Sequence, residues 1–203
     1  MKAPEGYRIG RQLHRSNEVR ISRALRLRDE REVVIKQLDR SQCGRDRLNR
    51  FQHEFDILSR LHIEGAIEPL ELLQLETGPA IIYADSGSLP LRQLIDEQPF
   101  DWPEWLKIAI RISELLGRLH EAGITHKQIN PDHLLLNPTS GRVELIGFSR
   151  STGLSREQAN WHTPDLGREG LAYIAPEQTG RINRSIDYRS DYYSLGATLY
   201  EMM

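Results

Sequence analysis

Cysteine is nearly missing from this chain: Cys43 is the only one in 203 residues. A lone thiol cannot close an internal disulfide or build a cysteine-based zinc site, so a free thiol in a reducing compartment is expected. An excess of one charge sign is missing too. With 27 Lys and Arg against 29 Asp and Glu, no broad field draws nucleic acid or an anionic membrane. Long apolar runs are also absent. The opening MKAPEGYRIGRQL has no apolar core of signal-peptide length and nothing approaches a membrane span, so no membrane segment and a cytoplasmic location are expected. What remains, 38% apolar and 28% charged residues, suits one ordinary core or two small lobes sharing a cleft.

Along the chain, residues 9–13, 19–27 and 32–38 alternate apolar and polar side chains between turn-like breaks, which predicts an antiparallel meander. The arginines of 20–31 read as solvated strand faces, with phosphate binding as the alternative. Residues 45–61 place Leu48, Phe51, Phe55, Leu58 and Leu61 three and four apart, one apolar stripe of a helix with Glu54 beside it. Residues 67–74 and 80–84 read as two more strands, and Asp85-Ser86-Gly87-Ser88 breaks the pattern as a hinge would. Asp101-Trp102-Pro103-Glu104 then resembles a capping box ahead of a helical run from Trp105 to Leu119, with Gly123 as its left-handed end.

The stretch ITHKQINPDHLLLN (124–137), followed by a short turn and VELIGFS (143–149), resembles the catalytic loop of protein kinases, H-R-D-L-x-x-x-N, and its D-F-G motif. His126, Lys127, Ile129, Pro131 and Phe148 fall on the frame of that pattern. Further matches appear in order: Lys36 ending VVIK, Glu54 on the following helix, Ala175-Pro176-Glu177, and Asp191. The resemblance covers nearly the whole chain. It implies an α+β, two-lobed kinase-like fold, with a five-stranded antiparallel N-lobe over 1–85 and a partial, mainly helical C-lobe over 86–203. That lobe would hold the activation segment over 147–177. Within the kinases, PEQTGRINRSIDYRSDYYSLG looks most like the kinase-like N-terminal domains of large bacterial hybrid ATPase and sensor histidine kinase proteins, so other signalling domains are the expected partners. By the same alignment the chain ends inside the central C-lobe helix. It is expected to be a fragment, with Leu195, Leu199, Tyr200 and Met202 uncovered and Glu177 without its usual arginine.

The resemblance also assigns roles. Lys36 and Glu54 would form the ion pair that holds phosphates. Ile21, Val34 and Leu135 would line the adenine slot or simply belong to the core, Tyr83 would lie behind it, and the backbone of Ala84 to Ser86 would meet the adenine edge. Leu58, Leu70, His126 and Phe148 would stack to link the lobes. The chemical positions depart from the pattern. Gln128 stands at the catalytic Asp, Asn130 at the loop Lys, His133 at the metal-binding Asn and Gly147 at the metal-binding Asp, so no metal site is expected. His14, Ser16 and Val19 replace the three glycines of the phosphate flap, which weakens any grip there. The expected function is a pseudokinase, a regulatory module that binds ATP weakly and without need of magnesium or not at all. The competing reading is an atypical Ser/Thr kinase using a displaced carboxylate such as Asp132 or Glu144.

Overall fold

The computed structural model describes residues 4–153, 168–180 and 185–203. It divides the chain into two compact units, Met1–His62 with Ile67–Gly87, and Ile63–Ala66 with Ser88–Met203. Residues 154–167, in the middle of the expected activation segment, lie outside the described residues.

In the first unit the alternating stretches become β1 (Tyr7–Arg15), β2 (Val19–Arg26) and β3 (Arg31–Leu38), followed by α1 (Arg45–Leu58), β4 (Pro69–Leu75) and β5 (Gly78–Ala84). The strands form one antiparallel sheet in the order β1-β2-β3-β5-β4. Because side chains alternate across a strand, register sorts them into two faces. One carries a core of Ala24, Val33, Ile35, Ala80 and Ile82. Cross-strand partners Ile21 and Lys36, Val34 and Tyr83, and Ile81 and Leu72 share the other, which α1 covers. Leu70, expected in the interlobe stack, packs instead against the Ala24 core. A bulge between Pro69 and Glu71 shifts the register, so Leu72 is the β4 side chain on the Lys36 face.

The arginine-rich strands are not simply solvated. Arg26 is buried, with its guanidinium donating to both Asp29 oxygens at 2.9 and 2.6 Å. Beside it the Tyr7 hydroxyl donates to Glu71, and burial followed by that bond pushes the phenol up to about 12.

The second unit begins with β6 (Leu89–Pro90), α2 (Leu91–Glu97) and α3 (Trp102–Glu121). Asp101 caps α3, its carboxylate accepting from the Glu104 N–H at 2.8 Å. The helix buries Ile108, Ala109, Ile112, Leu115, Leu116 and Leu119 along one face; each large side chain there contributes about 1.5–3 kcal/mol. Gly123, at φ 73°, turns the chain back in the left-handed conformation that a Cβ disfavours. There follow β7 (Ile124–Thr125), β8 (Leu134–Leu136), β9 (Val143–Leu145) and β10 (Thr152–Gly153), with β6-β8-β9 in one small sheet and β7-β10 in another. The last element is α4 (Arg189–Glu201).

The expectation that α4 lies uncovered needs correction. Leu195 and Met202 are buried, and the Trp105 indole N–H donates to the Leu199 carbonyl at 3.1 Å, fastening α3 to α4. Tyr200 alone of the four named residues stands out, at 80% exposed. Glu177 has a partner too, accepting from Ser190 Oγ at 2.7 Å.

Candidate functional site

In the first unit, Lys36 Nζ donates to both oxygens of Glu54, at 2.9 and 2.7 Å. The Tyr83 hydroxyl donates to Glu54 Oε1 at 2.8 Å. Glu54 is 2% exposed, and burying a carboxyl that deep is costly unless its oxygens find hydrogen-bond partners. Burial pushes the Tyr83 phenol well above its usual range, and the Glu54 charge adds to this. Tyr83 therefore keeps its proton and remains a donor. Ile21 and Val34 lie half-buried on the same sheet face as Lys36, and Ala84 at the end of β5 and Ser86 beyond it are half-buried too. Between them Asp85 accepts an ion pair from Arg23 Nε at 2.8 Å. Ser16, at a flap glycine position, closes the β1–β2 turn, its Oγ accepting from Glu18 N at 3.3 Å and Val19 N at 3.0 Å.

In the second unit, α4 organises the loop after β7. Asp191, fully buried, accepts from His126 N at 2.8 Å and Lys127 N at 2.6 Å, and its Oδ2 lies 2.9 Å from His120 Nε2. These bonds hold Lys127 at φ 68°, a conformation that costs an L side chain about 1–2 kcal/mol. The His126 ring donates from Nε2 to the Ile146 carbonyl at 3.0 Å and meets the Phe148 ring edge-on at 4.8 Å. Asn130 caps the next turn through Oδ1, which accepts from Asp132 N at 2.9 Å and His133 N at 3.0 Å. Asn130 is thus bound to its own loop. Leu135, the remaining slot candidate, lies half-buried on β8 opposite Pro90 and Glu144.

His133 and Gly147 meet. A carbonyl can only accept, so His133 Nδ1 donates to the Gln128 carbonyl 2.7 Å away, and this bond aims the ring. Gly147 has φ 83°, and a Cβ built there would fall 2.7 Å from His133 Cδ2 and 2.8 Å from Nε2. The imidazole occupies the space a side chain at 147 would need. The displaced carboxylates are engaged elsewhere: Glu144 is buried and accepts from Ser88 Oγ at 2.9 Å, and Asp132 lies 3.8 Å from Arg92. Among the described residues no cluster of three or more His, Cys, Asp or Glu could hold a metal ion. The donor set around 128, 133 and 147 does not fit magnesium, which takes oxygen ligands.

A sequence profile described as "Protein kinase domain" matches residues 7–203. The chain belongs to the protein kinase family. Among its relatives, the serine/threonine-protein kinase pkn3 of Myxococcus xanthus is 26% identical over 210 residues, covering 97% of this chain and 37% of pkn3. The serine/threonine-protein kinase PknB of Mycobacterium tuberculosis is 28% identical over 195 residues, covering 92% of the chain and 30% of PknB. The peroxide stress-activated histidine kinase mak2 of Schizosaccharomyces pombe is 34% identical over 169 residues, covering 76% of the chain and 7% of mak2. The chain thus spans a minor part of each relative's length.

On this protein kinase domain, the sequence pattern and the structure meet at several points. Lys36 and Glu54 come together, Asp191 bonds the backbone of the loop, and His126 stacks on Phe148. Two relationships escaped the sequence reading. The Tyr83–Glu54 bond links residues 29 apart; its faint signal was that Tyr83 shares the strand parity of Ile81, the partner of Lys36. The fit of His133 over Gly147 had no signal beyond two unusual residues at paired positions. Among the described residues no helix is long and apolar enough to cross a membrane.

Proposed function

We propose that this kinase domain is a pseudokinase, acting as a binding and regulatory module in signalling and not as a phosphate-transferring enzyme. The observation that carries the proposal is the imidazole of His133 packed where a side chain at 147 would stand. In the family both positions supply metal ligands, and phosphoryl transfer depends on metal ions to neutralise developing charge. Gln128 adds to the loss, since a neutral amide cannot take the substrate proton, a deficit of about 10²- to 10⁴-fold. Lys36, held by Glu54, is the cation left to meet the α and β phosphates of ATP, with Ile21, Val34 and the backbone from Ala84 to Ser86 around the base. Binding on this reading is weak and indifferent to magnesium. Signalling domains, in cis or in trans, are the partners, in keeping with the small share of mak2 that the chain matches. The cytoplasm is the compartment that suits a lone free thiol and a chain read without a membrane segment.

The test is a thermal-shift titration of the 203-residue chain with ATP, with and without magnesium, beside a transfer assay with labelled ATP. Equal stabilisation in both series and no incorporation are expected. Magnesium-dependent incorporation that Lys36→Ala abolishes would overturn the proposal. It would favour the second reading, an atypical Ser/Thr kinase, which draws on the intact Lys36–Glu54 pair and on relatives that carry that name.

A further inference from the structure

The strand β1 stands at the end of the sheet order, bonded to β2 on one side. Every residue of it after Tyr7 is exposed. An edge of this kind presents a row of backbone donors and acceptors on its outer side, ready to pair with another extended segment. Its side chains are of one sign: Arg8, Arg11 and Arg15 with His14, and no carboxylate. The neighbouring β2 adds Arg20, Arg23 and Arg26, again with no carboxylate.

The structure neutralises the inner arginines and leaves the outer ones. Arg23 pairs with Asp85 and Arg26 with Asp29, while Glu18 in the connecting turn is taken by Arg47. The side chains of Arg8, Arg11 and Arg15 have no hydrogen-bond or ion-pair partner among the described residues. Between them Ile9 and Leu13 are 40% and 43% exposed, apolar surface on a strand whose charges are all positive.

Charge on an edge strand commonly serves to prevent pairing, and the same chemistry decides which pairing is allowed. If a second copy added antiparallel in full overlap, Arg11 would stand opposite Arg11, and like charges directly opposite destabilise a ladder. A strand carrying carboxylates meets the reverse. A polyanion such as nucleic acid or an anionic membrane satisfies the arginines but leaves the backbone row and the two apolar side chains without partners. The chain's net charge of -2 gives it no long-range attraction to either.

We propose that the outer edge of β1 is a docking site for an extended acidic segment of a partner protein. The segment adds as a further strand, sets carboxylates against Arg8, Arg11 and Arg15, and places apolar residues beside Ile9 and Leu13. The site is separate from Lys36 and Glu54 and stands whether or not the domain binds nucleotide.

The probe is a fluorescent peptide of repeated Glu-Glu-Val, which puts carboxylates on both faces of an added strand as Arg8 and Arg15 require; it is titrated into the 203-residue chain, with a repeated Lys-Lys-Val peptide as control. Saturable anisotropy change with the acidic peptide alone is expected, together with slowed hydrogen exchange at the amides of residues 8–15. The double variant Arg11→Glu, Arg15→Glu should weaken binding about tenfold or more. Arg11→Gln, Arg15→Gln should fall between at an unchanged thermal midpoint, which guards against a folding defect. Absence of binding, protection confined to other strands, or indifference to both double variants overturns the proposal. So does tighter binding of a duplex oligonucleotide or a phosphatidylserine vesicle than of the peptide.

Discussion

The Lys36 face of the first unit and the 126–147 stretch of the second have kept different things. On the sheet face a cation, a carboxylate and a phenol remain bonded, each supporting the next. In the loop the backbone frame is held through Asp191, while the positions aligned with the family's metal and proton groups carry an amide, an imidazole and a hydrogen atom. The difference has a physical reason. Lys36, Glu54 and Asp191 are needed to satisfy buried polar groups whatever the domain does, so losing them costs stability. Among the described residues no hydrogen bond runs through the side chain at 128, and Gly147 has none to offer.

Four substitutions test that contrast, beginning with the largest. Asp191→Ala strips the Lys127 and His126 amides and His120 of their acceptor in a fully buried setting. A loss of about 4 kcal/mol is expected, since each orphaned buried group costs roughly 1–3 kcal/mol. Urea unfolding reads it directly, and a loss under about 1 kcal/mol would deny Asp191 its organising role.

Glu54→Ala comes next, at about 3 kcal/mol, the low end for a broken buried pair because Lys36 keeps 20% of its side-chain surface in water. The double variant Glu54→Leu, Lys36→Met should recover most of that loss. If it does not, the pair contributes more than mutual neutralisation.

Gly147→Asp should destabilise by about 2 kcal/mol, from the left-handed backbone together with the clash against the imidazole. Added to His133→Asn, the same change should cost about half as much. Equal costs in the two backgrounds would show that the ring is not what fills the space. Tyr83→Phe is the mildest. It removes one of three hydrogen bonds to Glu54 and should lower stability by about 1 kcal/mol, seen as faster amide exchange in α1.

The elements set by local pattern were readable from sequence. The alternation of β1 to β3 and the stripe from Ile108 to Leu119 state their own geometry, and Asp101 and Gly123 mark the ends of α3. The ordered motif residues were readable as well, because kinase chemistry requires them at fixed separations. What escaped depends on contacts far apart in sequence. Arg26 looked solvent-facing because its neighbours are charged, yet register sets it opposite Tyr7 and 3.9 Å from Glu71. The β4 bulge moved Leu70 to the Ala24 core, and the closure of α4 by Trp105 joins residues 94 apart. Each of these is settled by packing, which no window of residues contains.

The imidazole seated over Gly147 also bears on how this chain could change over generations. An acidic residue at 147 is obstructed for as long as 133 is histidine, so that single substitution passes through a less stable protein. The easier order is constrained too: a change at 133 frees the space before a side chain at 147 needs it. Two positions 14 apart in the chain are thus coupled, each limiting what the other can become.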